Sequence, residues 1–303
     1  MKVLVIGLGS IAQKHIKVLK EMTTNLEVFA LRSQRSSSVF IDVKNIYAWD
    51  EVPKDLDFII ISNPTSEHFK TIKNAIQFKV PLFIEKPPLS ELINSQEMLN
   101  LINDNQIPTY VAFNLRFHPI IDWLKKNLQL NRIREVNVYC GSYLPEWRQG
   151  IDYRECYSAK KELGGGVHLD LIHELDYTRW LLGEPINISS TRNKKSDLQI
   201  NSFDFANYLL EYENYYVNVT LNYYRRDNKR SIEIILENET WLADLVNCKV
   251  IDSNNTIIYK CDNFEPIQTY NDQMKYFLKN VRGNGDIMNN FEESLKTLSL
   301  CLS

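Results

Sequence analysis

The sequence predicts an α/β chain in two parts. A doubly wound parallel sheet occupies residues 1–118. An α+β domain with a large, open, mainly antiparallel sheet follows over 119–303, its last helix free to pack back on the first part. Two observations carry this. Through the first third, short continuous apolar runs alternate with helical periodicity, as in parallel strands buried on both faces and their crossover helices. After Pro119 that alternation stops, and closely spaced strand-like runs separated by turn residues take over.

The elements follow in order. Residues 2–6 are an apolar run the length of one buried strand. Gly7-Leu8-Gly9-Ser10-Ile11-Ala12 comes next, and Ile11, His15, Ile16 and Leu19 then recur at helical spacing. In this strand, turn and helix, Gly7 permits the tight turn and Gly9 lets a pyrophosphate approach the backbone. Ala12 is small enough for close helix–strand packing. Ser10 and Ile11 complete the phosphate turn, where a helix N-terminus offers free N–H groups. Residues 26–31 are the second strand, and 36–47 are too poorly patterned for a full crossover helix. Residues 57–62 are another buried strand, stopped by Pro64, with Thr65 or Ser66 expected to cap a helix to about 77. The turn that holds Asn63, Pro64, Thr65 and His68 opens at the carboxyl end of that strand, where ligands of open α/β sheets bind. A strand at 81–84 ends in Glu85-Lys86-Pro87-Pro88, where Glu85 and Lys86 are expected to reach the cofactor; a helix is expected from Ser90 to about 104, and a strand at 110–113 follows.

Beyond it come a helix at 120–128, a strand at 135–143 and a long irregular segment, 144–163, rich in Trp, Tyr, Arg and Lys. Loops of that length inside a compact domain are usually functional. Gly164-Gly165-Gly166 leads into a helix to about 182, ended by Gly183 and Pro185. About six strands fill 188–260, and helices near 272–281 and 291–300 close the chain. Too few helices remain to cover both faces of such a sheet, so a homodimer or homotetramer through the open face is expected.

At the end of the second strand, an acid would accept from the adenosine 2′-hydroxyl and select NAD. Here the chain reads Ala30-Leu31-Arg32-Ser33-Gln34-Arg35, with Glu27 back at the strand's start. Arg32 and Arg35 could clamp a 2′-phosphate and Ser33 could donate to it, so NADP is preferred over NAD. The alternative is a solvated basic turn.

The formal net charge of −3 excludes a broad nucleic-acid footprint. No apolar run approaches bilayer length, and the chain opens directly into a strand, so neither a membrane segment nor a leader is expected. The five cysteines, 140, 156, 248, 261 and 301, are scattered without a C-x-x-C pair. Neither a metal site nor a disulfide framework is expected, and a reducing cytoplasm fits.

Five motifs in order now resemble one family. They are G-L-G-S-I-A at 7–12, N-P-T-S-E-H at 63–68, E-K-P at 85–87, R-F-H-P at 116–119 and G-G-G-V-H-L-D-L-I-H-E-L-D at 164–176. Together they resemble the Gfo/Idh/MocA oxidoreductases over nearly the whole chain. H-E-L-D, preceded by Y-L-P-x-W and Y-x-x-x-Y-S-A-K-K-E-L, is similar to a subgroup of bacterial surface-sugar biosynthesis. The resemblance implies a Rossmann domain, an α/β substrate domain and reversible NAD(P)-linked oxidation of a hydroxyl on a sugar, cyclitol or nucleotide sugar. It also implies that Lys86, His173 and Asp170 face the substrate carbon. The family's spacing is Asp-x-x-x-His, then His-x-x-Asp. Here Asp170 and His173 are one residue closer, while His173 and Asp176 keep the later spacing.

The chemistry needs a base for the hydroxyl proton. His173 suits that role, and Lys86 could be the base or, as a cation, polarise a carbonyl. Asp176, one turn beyond His173, can orient the ring, and His168 reads as structural. Arg148, Arg154 and Tyr157, with Tyr153, Lys160 and Lys161, suit a phosphorylated or carboxylated sugar; the alternative is an interface loop. Arg116 completes the substrate set. Two rival activities remain: an NAD-dependent glycosidase of the same family, and a non-catalytic dinucleotide-sensing regulator.

Overall fold

The computed structural model describes residues 1–33, 40, 42–283 and 287–303. The chain divides into two units, Met1–Asn114 with Ile267–Leu298, and Leu115–Pro266 with Ser299–Ser303. This differs from a cut at 118/119 in returning a C-terminal segment to the first unit.

In the first unit, β1 (Lys2–Ile6) leads into α1 (Ser10–Met22). Then come β2 (Glu27–Leu31), β3 (Val43–Ile46), β4 (Phe58–Ile61), α2 (His68–Ala75), β5 (Leu82–Ile84), α3 (Ser95–Asp104) and β6 (Thr109–Val111). The six strands are parallel, in the order β3-β2-β1-β4-β5-β6. Leu4, Val5, Ile59, Ile60, Ile61, Leu82, Phe83 and Ile84 are fully buried, the continuous apolar pattern of a two-sided sheet. Between β2 and β3 the described residues hold no helix. The expected helix from Ser90 starts only at Ser95, after Asn94 in the left-handed region at φ +61°. Thr65 and Ser66 form a 3-10 turn with Glu67, and no side chain caps α2.

The second unit opens with α4 (Pro119–Asn127) and β7 (Ile133–Tyr143). Residues 144–163 carry four short 3-10 turns. The expected single helix up to Leu182 is two: α5 (Val167–Asp170) and α6 (His173–Leu182), broken at Leu171, whose backbone leaves the helical region at φ −99°, ψ +30°. The break falls within the shortened Asp170–His173 spacing. Then come β8 (Asn187–Asn193), β9 (Phe205–Glu211), β10 (Tyr216–Asn222), β11 (Tyr224–Leu236), β12 (Thr240–Asp244), β13 (Lys249–Ile251) and β14 (Ile257–Lys260). With β7 they form one sheet, β14-β13-β12-β11-β7-β10-β9-β8, antiparallel except for the parallel β7–β10 pair. Val136, Val138, Tyr208, Leu210, Val217, Val219, Ile232 and Ile234 are buried on one face. The alternate face carries Asn137, Leu209, Tyr216 and Asn218, all more exposed, as period-2 alternation requires.

α7 (Ile267–Gly283) returns to the first unit, where Phe277 meets Phe58 and Phe83 edge-on at 5.1 and 5.3 Å. Asn289 then pairs with the edge strand β6: its carbonyl accepts from the Val111 N–H at 2.8 Å. α8 (Phe291–Leu302) closes the chain. None of the described helices is long and apolar enough to cross a membrane.

Candidate active site

β1 and β4 are neighbours, yet the chain runs outward from β1 through β2 and β3 before it returns to β4. The crevice at their carboxyl ends is therefore the switch point at which open α/β sheets bind ligands. Gly7 leaves β1 there at φ +83°, and a Cβ on it would stand 2.7 Å from the Asn63 backbone. Ser62 locks the two turns together, its hydroxyl donating to the Ile6 and Gly7 carbonyls at 3.1 and 3.0 Å. Gly9 faces open space, with no atom within 4 Å of its added Cβ. It precedes α1, which has no side-chain cap and no acidic residue in its first turn. The N–H groups of Ser10, Ile11 and Ala12 thus begin a helix whose positive end is left for an anion. These donors fit a dinucleotide pyrophosphate.

The Glu85-Lys86 turn leaves β5 along the same sheet edge, because β1, β4 and β5 are parallel neighbours. Glu85, expected to touch cofactor, is instead spent within the protein. One oxygen lies 2.6 Å from Nε2 of buried His15 on α1, and the other accepts from the Lys86 N–H at 3.2 Å. His68 is likewise engaged within the protein. It is fully buried, with Nε2 3.1 Å from the Asn63 carbonyl and Nδ1 3.1 and 3.2 Å from the Pro87 and Pro88 carbonyls. Burial holds its pKa below the usual value. It bridges the 63 turn and the 87–88 turn. Thr65 is buried, Pro64 exposed, and Asn63 donates to the Thr71 hydroxyl at 2.8 Å. Lys86 is half-buried. Arg32 sits just past β2 and donates to the Asn45 side-chain oxygen at 3.4 Å; Ser33 is exposed. Arg35 lies outside the described residues. Glu27 is paired with Lys44 at 2.5 Å at the far end of β2.

In the second unit, Asp170 is 5% exposed and closed on both sides. The Tyr223 hydroxyl donates to one oxygen at 2.5 Å, and the Tyr157 hydroxyl donates to the other. Burial and then the Asp170 charge push both phenols far above their usual pKa. Asp170 is therefore an acceptor engaged by two phenolic donors. Three residues on, His173 opens α6. His168 behaves as structural: it is buried, pushed down to about 4 by burial and then by Arg192, and its ring lies 5.5 Å from that of Phe203.

Arg116 is engaged within its own unit. Its Nε and Nη2 bond the two oxygens of Asp176 at 2.8 and 2.6 Å, and both side chains are 2% exposed. This ion pair ties α6 to the turn before α4. Arg154 is paired with Asp152 at 2.5 Å on the surface, and Lys160 with Glu155 at 2.7 Å. Half-buried Arg148 stands 5.7 Å from the Tyr157 ring, whose hydroxyl donates to Asp170. Two residues escaped the sequence reading. Tyr223 lies between two strands where no motif marks it, and His15 looked like one more core position of α1. No cluster of metal-ligating side chains occurs among the described residues.

A switch-point crevice beside an uncapped, glycine-preceded helix defines a dinucleotide-binding domain of the Rossmann type. Residues 1–113 match the GFO_IDH_MocA model, described as an oxidoreductase family with an NAD-binding Rossmann fold, and residues 125–241 match the GFO/IDH/MocA C-terminal domain. The chain belongs to the Gfo/Idh/MocA oxidoreductase family, as its five motifs implied. It is 25% identical over 194 residues to inositol 2-dehydrogenase of Rhizobium meliloti (strain 1021), covering 61% of this chain and 56% of that protein. The chain thus aligns with little more than half the length of this curated relative. UDP-N-acetylglucosamine 3-dehydrogenase GnnA from Acidithiobacillus ferrooxidans shares the fold at a TM-score of 0.80 and 18% identity, over 100% of this chain and 95% of that one. Levoglucosan dehydrogenase in complex with NADH does so at 0.85 and 16%, over 100% and 96%.

Proposed function

We propose that this protein is an NAD(P)-dependent dehydrogenase or reductase that interconverts a hydroxyl and a keto group on a sugar, cyclitol or nucleotide sugar. The observation that carries the reading is the shared sheet edge of the first unit: the Gly7 turn, the Asn63 turn and Lys86 leave three adjacent parallel strands. Inositol 2-dehydrogenase, levoglucosan dehydrogenase and UDP-N-acetylglucosamine 3-dehydrogenase, all relatives or structural neighbours, support the substrate class.

A nicotinamide, when bound, supplies or accepts the hydride. The Gly9 turn and the α1 N-terminus would hold the pyrophosphate. Arg32, with Arg35 and Ser33, would hold a 2′-phosphate, and no acid occurs between Ala30 and Phe40 to oppose it; NADP is the preferred form. His173 takes the hydroxyl proton in oxidation and returns it in reduction. Lys86 is the group assigned to polarise the substrate carbonyl. Asp170, held by Tyr157 and Tyr223, positions the start of α6, and Arg148 contacts an anionic group of the substrate. We further assign the protein to the cytoplasm and to a homo-oligomer formed through the open sheet face, where Leu209 and Tyr216 are exposed.

The test is fluorescence titration with NADPH and NADH, followed by turnover on a panel of sugars, cyclitols and nucleotide sugars. Tighter NADPH binding and a loss of about 10²–10⁴-fold in turnover for Lys86→Ala, with dinucleotide affinity retained, are expected. Dinucleotide binding with no turnover of any panel member would favour the sensor over the enzyme.

A further inference from the structure

β13 and β14 form the hairpin at one edge of the second unit's sheet, with Lys249 opposite Lys260 and Val250 opposite Tyr259. One step further, that antiparallel register sets Cys248 opposite Cys261. The ladder continues there, since the Cys261 N–H donates to the Cys248 carbonyl at 3.0 Å. Directly opposed residues in such a ladder have Cα atoms about 4.5–5.5 Å apart, inside the window of about 4.4–6.8 Å that a disulfide needs. Two residues before Cys261, Tyr259 stacks on Trp123 at 5.4 Å. The two thiols also sense each other: burial and then the neighbouring Cys261 thiol push Cys248 up to about 12. Cys248 is held at φ +50°, where glycine or asparagine is the ordinary choice. Both thiols are free; Cys248 is buried and Cys261 partly exposed.

We propose that Cys248 and Cys261 are an oxidation-sensitive thiol pair that closes to a disulfide across the β13–β14 hairpin, with hydrogen peroxide as oxidant. The more accessible Cys261 reacts first. Its thiolate attacks one peroxide oxygen, the O–O bond breaks, and a sulfenic acid and hydroxide form. The Cys248 sulfur then displaces the sulfenic hydroxyl, which leaves as water with the Cys248 proton. Two thiols lose two electrons in all, and one peroxide is reduced to two waters. A transient, sensing disulfide of this kind is compatible with a reducing compartment.

The experiment exposes the full chain to hydrogen peroxide, denatures it, alkylates the remaining thiols and maps peptides by mass. The expected product is a 248–261 linkage about 2 Da lighter than the two thiols, reversed by dithiothreitol. It should be lost in Cys261→Ser and retained in Cys140→Ser, Cys156→Ser and Cys301→Ser. Wild-type protein alone decides the matter if a variant folds poorly. The proposal is overturned if both thiols stay alkylatable after peroxide, if Cys261 accumulates as a sulfinic acid, or if its partner lies in another molecule.

Discussion

The Asn63 Cα stands 2.7 Å from the point at which a Cβ on Gly7 would sit. Two turns from strands far apart in sequence are thereby held at a separation that only hydrogen tolerates, and Gly7 is also at φ +83°. Gly7→Ala should lower stability by at least about 1–3 kcal/mol through backbone strain alone, seen in thermal melts, and weaken dinucleotide binding. Gly9→Ala has open space to enter, so its melting temperature should match wild type while dinucleotide affinity falls. A Gly7→Ala melt equal to wild type would refute the packing argument.

Arg116 and Asp176 form a two-bond ion pair with both side chains out of water. Removing one partner strands a buried charge, so Arg116→Ala or Asp176→Ala should cost about 3–5 kcal/mol in urea unfolding. Replacing both together with Met and Leu should cost less than either single change. Equal losses in the single and double variants would show that the pair itself supplies the stability.

Tyr223 gives Asp170 one of its two phenolic donors. Tyr223→Phe removes only that oxygen and should cost about 1–3 kcal/mol, the penalty of an under-satisfied buried acceptor. Tyr223→Phe combined with Asp170→Leu should recover part of the loss. A Tyr223→Phe variant as stable as wild type would contradict the hydrogen bond.

Acid should destabilise the fold through its histidines. Burial pushes His118 and His168 down to about 4 in the native state and lowers His68 as well. Unfolded histidines protonate near about 6.5. Between those values the unfolded chain binds protons that the native chain refuses, so stability falls as pH drops from about 6.5 toward about 4, by up to about one proton per histidine. Below about 4 the native groups protonate too, and this contribution levels off. Urea midpoints measured from pH 7.5 to 5 should fall steadily, with a shallower slope in His168→Asn. Flat midpoints over that range would contradict the burial argument.

The glycine turn shows what could be read early. Gly7, Gly9 and Ala12 are recognisable because strand, turn and helix lie within fifteen residues and each glycine answers a local backbone need. His68 and Glu85 show the opposite. Both stand in motifs that the family shares, yet His68 bonds carbonyls five, nineteen and twenty residues away, and Glu85 meets a histidine seventy residues back. Nothing in either motif distinguishes a group that touches a ligand from one that holds a turn. The helix expected to run unbroken to Leu182 differs at Leu171, where the apolar spacing continues but the backbone leaves the helical region.

By itself the sequence determined the parallel sheet, its switch-point turn, the mainly antiparallel sheet that follows and the family. Apolar runs, glycines and periodicity act over a few residues and report local conformation directly. The tertiary structure alone decided that Arg116 serves Asp176, that Tyr223 and Tyr157 close on Asp170, and that Cys248 stands across from Cys261. Those partners are chosen by strand register and burial, which depend on the whole fold and leave no mark in the neighbouring residues.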